Sequence, residues 1–275
     1  MTSVRARLVC FFLLSMGLCC CAAPLSPSAQ PAIATTTPTL PVFDCGEQGV
    51  IRSDRVPNPT QGFSIHFDYY LPPCYDSQPE RSYPTLYLVV LTYERTLSET
   101  DKTPMSLAER LIHLGKMPPV IIITPGQLIG YGSDAALAKD LVPYVDSQFR
   151  TLRDPQYRGV GGISNGAAIA VRMAFQFPEL FNRVGLLSGG LADGEQERFE
   201  SWLDRTPPDR WPRVRIDVGD QDAIMRLTNN LLAVLDKRHV SYTLNVGQGN
   251  HDWTFWSSRM EPYLLWLSED WHEGQ

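Results

Sequence analysis

The sequence predicts an α/β fold in which a mostly parallel central sheet carries helices on both faces and begins with an antiparallel entry. Two observations predict this fold. Short apolar runs of strand length alternate with amphipathic runs of helix length over most of the chain, which is the pattern of successive strand-helix-strand units. The chain has 275 residues, of which 43% are hydrophobic, so it is long enough to bury one core of this kind.

The antiparallel entry is predicted from two strand-like runs near the start of the domain. Residues 49–54 form the first run, and residues 62–71 form the second. In the second run Phe63, Ile65 and Phe67 alternate on one face, as in a strand with one buried side. A Pro-Asn-Pro turn separates the runs, which favours an antiparallel pair.

The remaining predicted elements alternate along the chain. The strands are predicted at residues 85–91, 119–124, 157–163, 183–187, 214–218 and 242–246. The helices are predicted at residues 106–114, 135–149, 167–177, 194–203 and 224–237, with a last one beginning near Trp253. In the first helix Ser106 is the predicted N-cap, with Glu109 three residues later. Residues 85–91 are apolar almost throughout, which is typical of a strand buried on both faces.

A Gly-x-Ser-x-Gly pattern lies between one predicted strand and the next helix, at Gly162-Ile163-Ser164-Asn165-Gly166. In a nucleophile elbow a serine occupies a sharp, strained turn from strand to helix, so its neighbours must be very small. The pentapeptide alone also fits an ordinary turn that contains a serine. The buried strand before it and the alanine-rich helix after it favour the elbow, with Ser164 as the candidate nucleophile.

A serine hydroxyl needs a base to take its proton and a third group to orient that base. In the order that α/β-hydrolases use, the acid and then the histidine follow the serine. His66 and His113 precede the serine, His239 lies at a helix end and His272 lies in the polar tail. His251 follows the last predicted strand in a glycine-rich loop, so it is the candidate base.

The candidate acid lies on the loop after residues 214–218, because that loop neighbours the histidine loop in such sheets. Asp222 is preferred there. Asp220 directly follows a glycine and is predicted instead to turn the loop or to cap the next helix, while Asp217 lies within the strand and is predicted to be structural.

Most of residues 65–266 resemble the esterase D and feruloyl-esterase-like branch of the α/β-hydrolases, which includes enterochelin esterases and the antigen 85 mycolyltransferases. The motifs that carry the resemblance are Tyr83-Pro84-Thr85-Leu86-Tyr87-Leu88, Asp140-Leu141-Val142-Pro143-Tyr144-Val145-Asp146, Gly162-Ile163-Ser164-Asn165-Gly166, Phe177-Pro178-Glu179-Leu180-Phe181, Ser188-Gly189, Gly219-Asp220-Gln221-Asp222 and Asn250-His251-Asp252-Trp253. The resemblance implies a catalytic triad of Ser164, Asp222 and His251, and it implies no metal or organic cofactor.

The chain departs from that family at the oxyanion hole. The family's strand ends in His-Gly or Asp-Gly, whereas this sequence has Val90-Leu91 at that place. The resemblance implies that the backbone N–H groups of Asn165 and Thr92 form the hole. The donor at Thr92 would therefore follow a bulky leucine instead of a glycine.

The N-terminus is predicted to be a targeting segment. Residues 1–21 have Arg5 and Arg7 before a short apolar stretch, as in a signal peptide. The tripeptide Cys19-Cys20-Cys21 resembles the end of a bacterial lipobox and offers three lipidation candidates, but Leu18 stands where a lipobox usually has glycine or alanine. Lipid anchoring to the outer face of a bacterial membrane and cleavage with secretion therefore remain alternatives.

Residues 22–44 are rich in proline, serine and threonine, which predicts a tether that buries no core. The domain is predicted to cover residues 45–275. Its two cysteines, Cys45 and Cys74, are expected to form a disulfide in an oxidising compartment, with free buried thiols as the alternative.

Composition and charge narrow the class of partner. The formal net charge is -6, and no basic patch predicts nucleic-acid binding. The expected partner is a small-molecule ester, and contact with a membrane is expected only through an N-terminal lipid. The sequence makes no prediction of oligomeric state.

Three functions are compatible with these residues. The leading one is an exported serine esterase that works through an acyl-enzyme. The second is a surface binding protein that keeps the hydrolase fold with weakened catalysis, a reading that rests only on Val90-Leu91. The third is an acyltransferase in which a sugar or lipid hydroxyl replaces water.

Overall fold

The computed structural model describes residues 45–57, 59–60, 62, 64–90, 103–126 and 132–271. The predicted signal peptide and tether, together with Phe63, Leu91, Thr92 and His272, lie outside these ranges. All described residues fall within one compact unit, residues 39–275. Within the described ranges, no helix combines the length and the apolar character that a bilayer span requires.

An eight-stranded sheet forms the centre of the domain, with the strand order β1-β2-β4-β3-β5-β6-β7-β8. The strands are β1 (Val50–Arg55), β2 (His66–Leu71), β3 (Thr85–Val89), β4 (Ile121–Pro125), β5 (Arg158–Ile163), β6 (Arg183–Leu187), β7 (Arg213–Gly219) and β8 (Tyr242–Gly247). β2 pairs antiparallel with both β1 and β4. All other pairs are parallel, so the predicted sheet with its antiparallel entry is confirmed.

Helices cover the sheet on both faces. They are α1 (Pro104–His113), α2 (Ser133–Ala136), α3 (Val142–Gln148), α4 (Asn165–Gln176), α5 (Gln196–Arg205), α6 (Met225–Lys237) and α7 (Trp253–Leu267). α1 and α7 share one hydrophobic cluster, and α2 to α6 share the other. The predicted α/β architecture is therefore confirmed.

β3, which is apolar at nearly every position, contributes side chains to both hydrophobic clusters. Leu86 and Leu88 belong to the cluster under α1 and α7, whereas Tyr87 and Val89 belong to the cluster on the other side. Successive side chains of a strand point to opposite faces. A strand that has helices on both sides therefore needs no polar alternation.

Two details of the helices differ from the prediction. α1 begins earlier than residue 106, because the side chain of Thr103 accepts a hydrogen bond from the backbone N–H of Ser106 at 2.9 Å and is the N-cap. The helix predicted at residues 135–149 is interrupted by a π-helical turn, Leu137–Leu141, in which the N–H of Val142 donates to Leu137, five residues back. Proline lacks an N–H, so Pro143, the next residue, could not continue the regular hydrogen-bond pattern.

The N-terminal edge is held to the rest of the domain by a disulfide. The structure joins Cys45 to Cys74, with 6.1 Å between their Cα atoms. Four residues after Cys45, the N–H of Gly49 donates to the carboxylate of Glu109 on α1 at 3.0 Å. These contacts fix the segment that leads into β1.

Candidate active site

Ser164 occupies the turn between β5 and α4, where the predicted elbow lies. Its backbone has φ of 57° and ψ of -122°, a combination that non-glycine residues rarely adopt and that costs free energy. Two backbone hydrogen bonds hold the turn: the N–H of Ser164 donates to Leu187 at 2.9 Å, and the N–H of Ala167 donates to Ser164 at 3.1 Å. The turn projects the serine from the carboxyl end of the strand.

The two glycines of the motif are required by close packing. A Cβ atom on Gly166 would overlap the carbonyl group of Val89, at the end of β3. A Cβ atom on Gly162 would overlap the backbone of Gly166 itself, because the chain folds back at Ser164. The spacing Gly-x-Ser-x-Gly therefore follows from the shape of this turn.

The imidazole of His251 lies within hydrogen-bonding distance of both Ser164 and Asp222. The Oγ atom of Ser164 is 2.8 Å from Nε2 of His251. Nδ1 of the same imidazole is 3.0 Å and 3.2 Å from the two carboxylate oxygens of Asp222. The Asp222 side chain is fully buried, while 23% of the His251 side chain is exposed. In this arrangement the imidazole can accept the hydroxyl proton while it donates its own N–H to the carboxylate.

The three residues follow the carboxyl ends of β5, β7 and β8, and β6 lies between the first two of these strands. The loops after β7 and β8 are joined by backbone bonds, since the N–H of Asp220 donates to Gly247 at 2.8 Å and the N–H of Gln221 donates to Gly249 at 3.0 Å. Asp222 also accepts from the N–H of Ile224 at 2.9 Å. The position of the carboxylate is therefore set by its own loop and by the histidine.

Residues 131–267 match the family model described as Putative esterase. The chain belongs to this esterase family. The chain is also 27% identical over 107 residues to the uncharacterized protein YbbA of Bacillus subtilis, an alignment that spans 38% of each protein. The part of the chain that matches the family model, residues 131–267, contains the turn with Ser164 and the loops with Asp222 and His251.

Solved structures share the fold of this esterase-family chain at 20% sequence identity or less. A ferulic acid esterase has a TM-score of 0.68 at 20% identity, covering 81% of this chain and 98% of its own. The feruloyl esterase module of Clostridium thermocellum, solved with sinapinate, has a TM-score of 0.69 at 19% identity, covering 84% and 92%. S-formylglutathione hydrolase from Staphylococcus aureus has a TM-score of 0.64 at 17% identity, covering 84% and 99%.

The other described histidines lie outside this constellation. His66 begins β2, and His113 ends α1, where its ring is 3.1 Å from Glu109. His239 follows the end of α6 with a left-handed backbone, φ of 55°. All three therefore occupy the strand, helix and helix-end positions that the sequence predicts.

Asp220 has a role that the sequence indicated only in part. Its carboxylate accepts a hydrogen bond from the backbone N–H of Gly249 at 3.0 Å. It therefore fastens the histidine loop and does not cap the helix. Asp217 is buried in β7 and forms an ion pair with Arg215, as expected of a structural residue.

Of the two residues predicted to form the oxyanion hole, Asn165 lies within the described part of the chain. Asn165 is the first residue of α4, so its N–H has no acceptor within its own helix. Val90 directly follows β3 and is buried. Leu91 and Thr92, which carry the departure from the family pattern, lie outside the described residues.

Two other features of the described residues lie away from this site. The described residues contain one His/Cys/Asp/Glu group compact enough for a metal, Cys45, Glu47 and Cys74, but its two cysteines form the disulfide. A cavity of about 350 Å³ is lined by side chains that include Trp211 and Tyr242. That cavity lies at the amino ends of β7 and β8, the opposite end of the sheet from Ser164.

Proposed function

We propose that this protein is an exported serine esterase that hydrolyses small carboxylic esters through an acyl-enzyme, with Ser164 as nucleophile, His251 as general base and acid, and Asp222 as orienting acid. The observation that carries the proposal is the continuous set of contacts from Ser164 Oγ through the imidazole to Asp222, at 2.8 Å and 3.0 Å. Membership of the esterase family supports the same chemistry.

The proposed reaction has two stages. In acylation, Ser164 Oγ attacks the ester carbonyl as its proton passes to Nε2 of His251, and the imidazolium then gives that proton to the departing alcohol. In deacylation, water attacks the acyl-enzyme, its proton passes to Nε2, and the proton returns to Oγ as the carboxylic acid leaves. Asp222 stays ionised throughout and holds Nδ1–H in place.

The negative charge of each tetrahedral intermediate would be stabilised by backbone donors. The N–H of Asn165 is the first proposed donor, because the start of α4 also provides the positive end of a helix dipole. The N–H of Thr92 is the second. No metal or organic cofactor takes part in this proposed mechanism.

For the substrate, only a chemical class is proposed, namely small carboxylic esters. Feruloyl esterases among the structural neighbours make phenolic esters a natural first choice for a substrate panel, beside small activated esters. Four aromatic residues of the sequence, Tyr93, Trp202, Trp211 and Trp253, are candidates to line a cleft for a phenolic ester, with a place in the core as the alternative. Trp202 is buried in the core, and Trp211 and Trp253 pack against the two hydrophobic clusters, which favours the alternative for these three. Tyr93 lies outside the described residues.

The activity is tested by hydrolysis of p-nitrophenyl acetate and by labelling with a fluorophosphonate. Wild type should hydrolyse the ester and become labelled, and Ser164→Ala should do neither. Ser201→Ala, which changes an exposed serine of α5, is the matched control and should behave as wild type. Equal labelling of Ser164→Ala would contradict the proposal. Release of acid, compared with transfer to added alcohols, separates hydrolysis from acyl transfer.

Export is part of the proposal and has its own test. Arg5 and Arg7, the apolar core and the cysteine cluster support removal of the N-terminal segment. Mass spectrometry of the protein expressed in bacteria should find a processed N-terminus, and lipid on Cys19, Cys20 or Cys21 would show anchoring as opposed to secretion. A full-length chain in the cytoplasm would refute export and leave the esterase proposal standing.

A further inference from the structure

Leu187, the last residue of β6, and the next two residues connect Ser164 to the side chain that packs against His251. The carbonyl of Leu187 accepts the hydrogen bond from the N–H of Ser164 at 2.9 Å. Gly189 packs so closely on Ala167, in the first turn of α4, that a Cβ atom there would overlap it. Ser188, between them, points its hydroxyl to the other side of the site.

Both the burial and the backbone conformation of Ser188 are unusual for a serine. It is completely buried and has φ of 52°, a left-handed conformation that costs free energy for a residue with a side chain. Its N–H donates to Asp217 at 2.8 Å. Its Oγ accepts a buried hydrogen bond from the indole Nε1–H of Trp256 at 2.8 Å. A buried indole N–H requires such a partner.

Trp256 in turn packs against the candidate base. It lies in the first turns of α7 and is 4% exposed, and its ring meets the imidazole of His251 edge to face, with centroids 4.9 Å apart and planes at 88°. Hydrogen bonds at Nδ1 and Nε2 fix the two ends of the imidazole but leave it free to tilt about the line that joins them. The indole blocks that tilt.

We propose that Ser188 and Trp256 are positioning residues for His251: Ser188 fixes the indole of Trp256, and the indole fixes the plane of the imidazole. This inference rests on the proposed esterase function. Because the segment that holds Ser188 also bonds to Ser164, one short stretch of chain sets the distance between nucleophile and base.

Ser188 and Trp256 should matter more for deacylation than for acylation. In the free enzyme the imidazole has three supports, namely Asp222, the indole and the hydroxyl of Ser164. Once Oγ carries the acyl group, its hydrogen bond to Nε2 is lost and two supports remain. Nε2 must then accept the proton of an attacking water from the same position. Loss of the indole support should therefore slow deacylation more than acylation.

The test measures kcat and KM of Ser188→Ala with p-nitrophenyl acetate. For an acyl-enzyme mechanism, selective slowing of deacylation lowers kcat and KM together and leaves kcat/KM nearly unchanged. We expect kcat to fall about tenfold, since small misplacement of a catalytic group has effects of that order or larger. Acylated Ser164 should accumulate in the intact-mass spectrum during turnover.

A second substitution shows whether the hydrogen bond is responsible. Ser188→Ala leaves the indole N–H buried without a partner, which is costly. Trp256→Phe removes that N–H and keeps an aromatic ring, so adding Trp256→Phe to Ser188→Ala should restore part of the lost kcat. Trp202→Phe, a change of a buried tryptophan in α5, controls for loss of an indole from the core and should leave both parameters unchanged.

Two kinetic results would overturn the inference while leaving the esterase function intact. One is a folded Ser188→Ala whose kcat and KM stay within about twofold of wild type. The other is a fall in kcat/KM as large as the fall in kcat. If wild type hydrolyses no ester, the proposed function fails. The positioning of His251 is then tested without activity, by proton NMR of the hydrogen bond between His251 and Asp222. A shifted or broadened resonance in Ser188→Ala, but not in Trp202→Phe, supports positioning, and an unchanged one refutes it.

Discussion

Ser164 combines an unfavourable backbone with a position that its chemistry needs. A backbone held in such a sparsely populated φ/ψ region costs about 1–3 kcal/mol. The hydrogen bonds of its turn, from Ser164 to Leu187 and from Ala167 to Ser164, contribute about 1 kcal/mol each. They offset much of that cost, and the serine is thereby held at the exposed end of a strand whose other residues are buried.

The three proposed catalytic residues should act as a unit. Ser164→Ala and His251→Ala are each expected to lower kcat by about a million-fold, and Asp222→Asn by about ten-thousand-fold. The double variant of Ser164 and His251 should be little worse than either single one, because each change already disables the same step. Steady-state kinetics on an activated ester measure this.

His239→Ala and Asp220→Asn are the matched controls for that prediction. Neither residue contacts Ser164 or His251 through any hydrogen bond in the described part of the chain, although Asp220 fastens the histidine loop. If His239→Ala removed the activity and His251→Ala did not, the assignment of the base would be wrong. If Asp220→Asn removed it and Asp222→Asn did not, the assignment of the acid would be wrong.

Leu91 carries a prediction about the oxyanion hole. A side chain at position 91 can restrict the backbone dihedrals that present the N–H of Thr92, and we expect it to crowd the acyl group. A misplaced donor costs about a hundred- to a thousandfold in kcat, so we expect a slow esterase that prefers small or activated esters. Leu91→Gly should raise kcat on p-nitrophenyl acetate. A fall in kcat, with the fold intact, would mean that the leucine serves the site.

At the scale of elements, α7 supports the site at two places. Near its start Asp252 caps the helix by accepting from Phe255 at 3.0 Å, and Trp256 contacts His251. Further along, the hydroxyl of Tyr263 accepts from the N–H of Gly162 at 2.9 Å and donates to Gly185 at 2.8 Å. The helix therefore supports both the histidine and the strand that leads to the serine.

Burial keeps the Tyr263 hydroxyl protonated, because it raises the pKa of the phenol far above its usual value. Tyr263→Phe would leave the N–H of Gly162 without its partner, at a cost of about 1–3 kcal/mol in the free energy of unfolding. Urea unfolding measures this. Tyr242→Phe is the matched control, since its hydroxyl bonds to Asp236 at the surface, and it should cost less than about 0.5 kcal/mol.

The sequence predicts the elements of this domain well because their signals are local. Apolar runs, prolines and glycines place the strands of the sheet to within a few residues at most ends, β2 being the exception because it begins four residues later than predicted. The N-cap at Thr103 was missed because Ser106 has the same chemistry and lies close by. The π-helical turn was missed because Leu137–Leu141 has the apolar spacing of an ordinary helix.

The residues of the candidate site could be predicted because the acid and the histidine must follow Ser164 in the chain, which leaves few aspartates and histidines to choose from. Ser164, Asp222 and His251 lie together in the structure, and their catalytic roles stay predictions. The bond between Ser188 and Trp256 joins residues 68 positions apart, and no periodicity or motif indicates such a pair. Tyr263 explains a further feature that the pattern did not reveal, since a Cβ atom on Gly161 would overlap its hydroxyl.

At the scale of the whole molecule, the candidate active site and the disulfide lie at different places in the strand order. Ser164 follows β5, near the middle of the strand order, and the disulfide lies beside β1 and β2 at one edge. At the other edge, β8 exposes Leu244 and Val246. Changes to the disulfide should therefore act on stability and leave the chemistry at Ser164 largely unchanged.

The disulfide between Cys45 and Cys74 closes a loop with a sequence separation of 29. On a chain-entropy estimate it stabilises the domain by about 3–4 kcal/mol. Thermal unfolding of the mature protein with and without reductant measures this, and reductant should not affect the variant in which both cysteines are serine. Two free thiols in the unreduced, denatured protein would show that the bond does not form.

The place of this disulfide also determines how the domain would respond to a pulling force. Tension applied through the N-terminal residues reaches the domain at Cys45, five positions before β1 begins. Without the disulfide that tension would pass to β1, an edge strand paired only with β2, and would peel it away one hydrogen bond at a time. With the disulfide, most of the load transfers to Cys74, beyond the end of β2, and bypasses the edge strand. The disulfide should therefore raise the force at which β1 detaches when the domain is pulled from its N-terminal end.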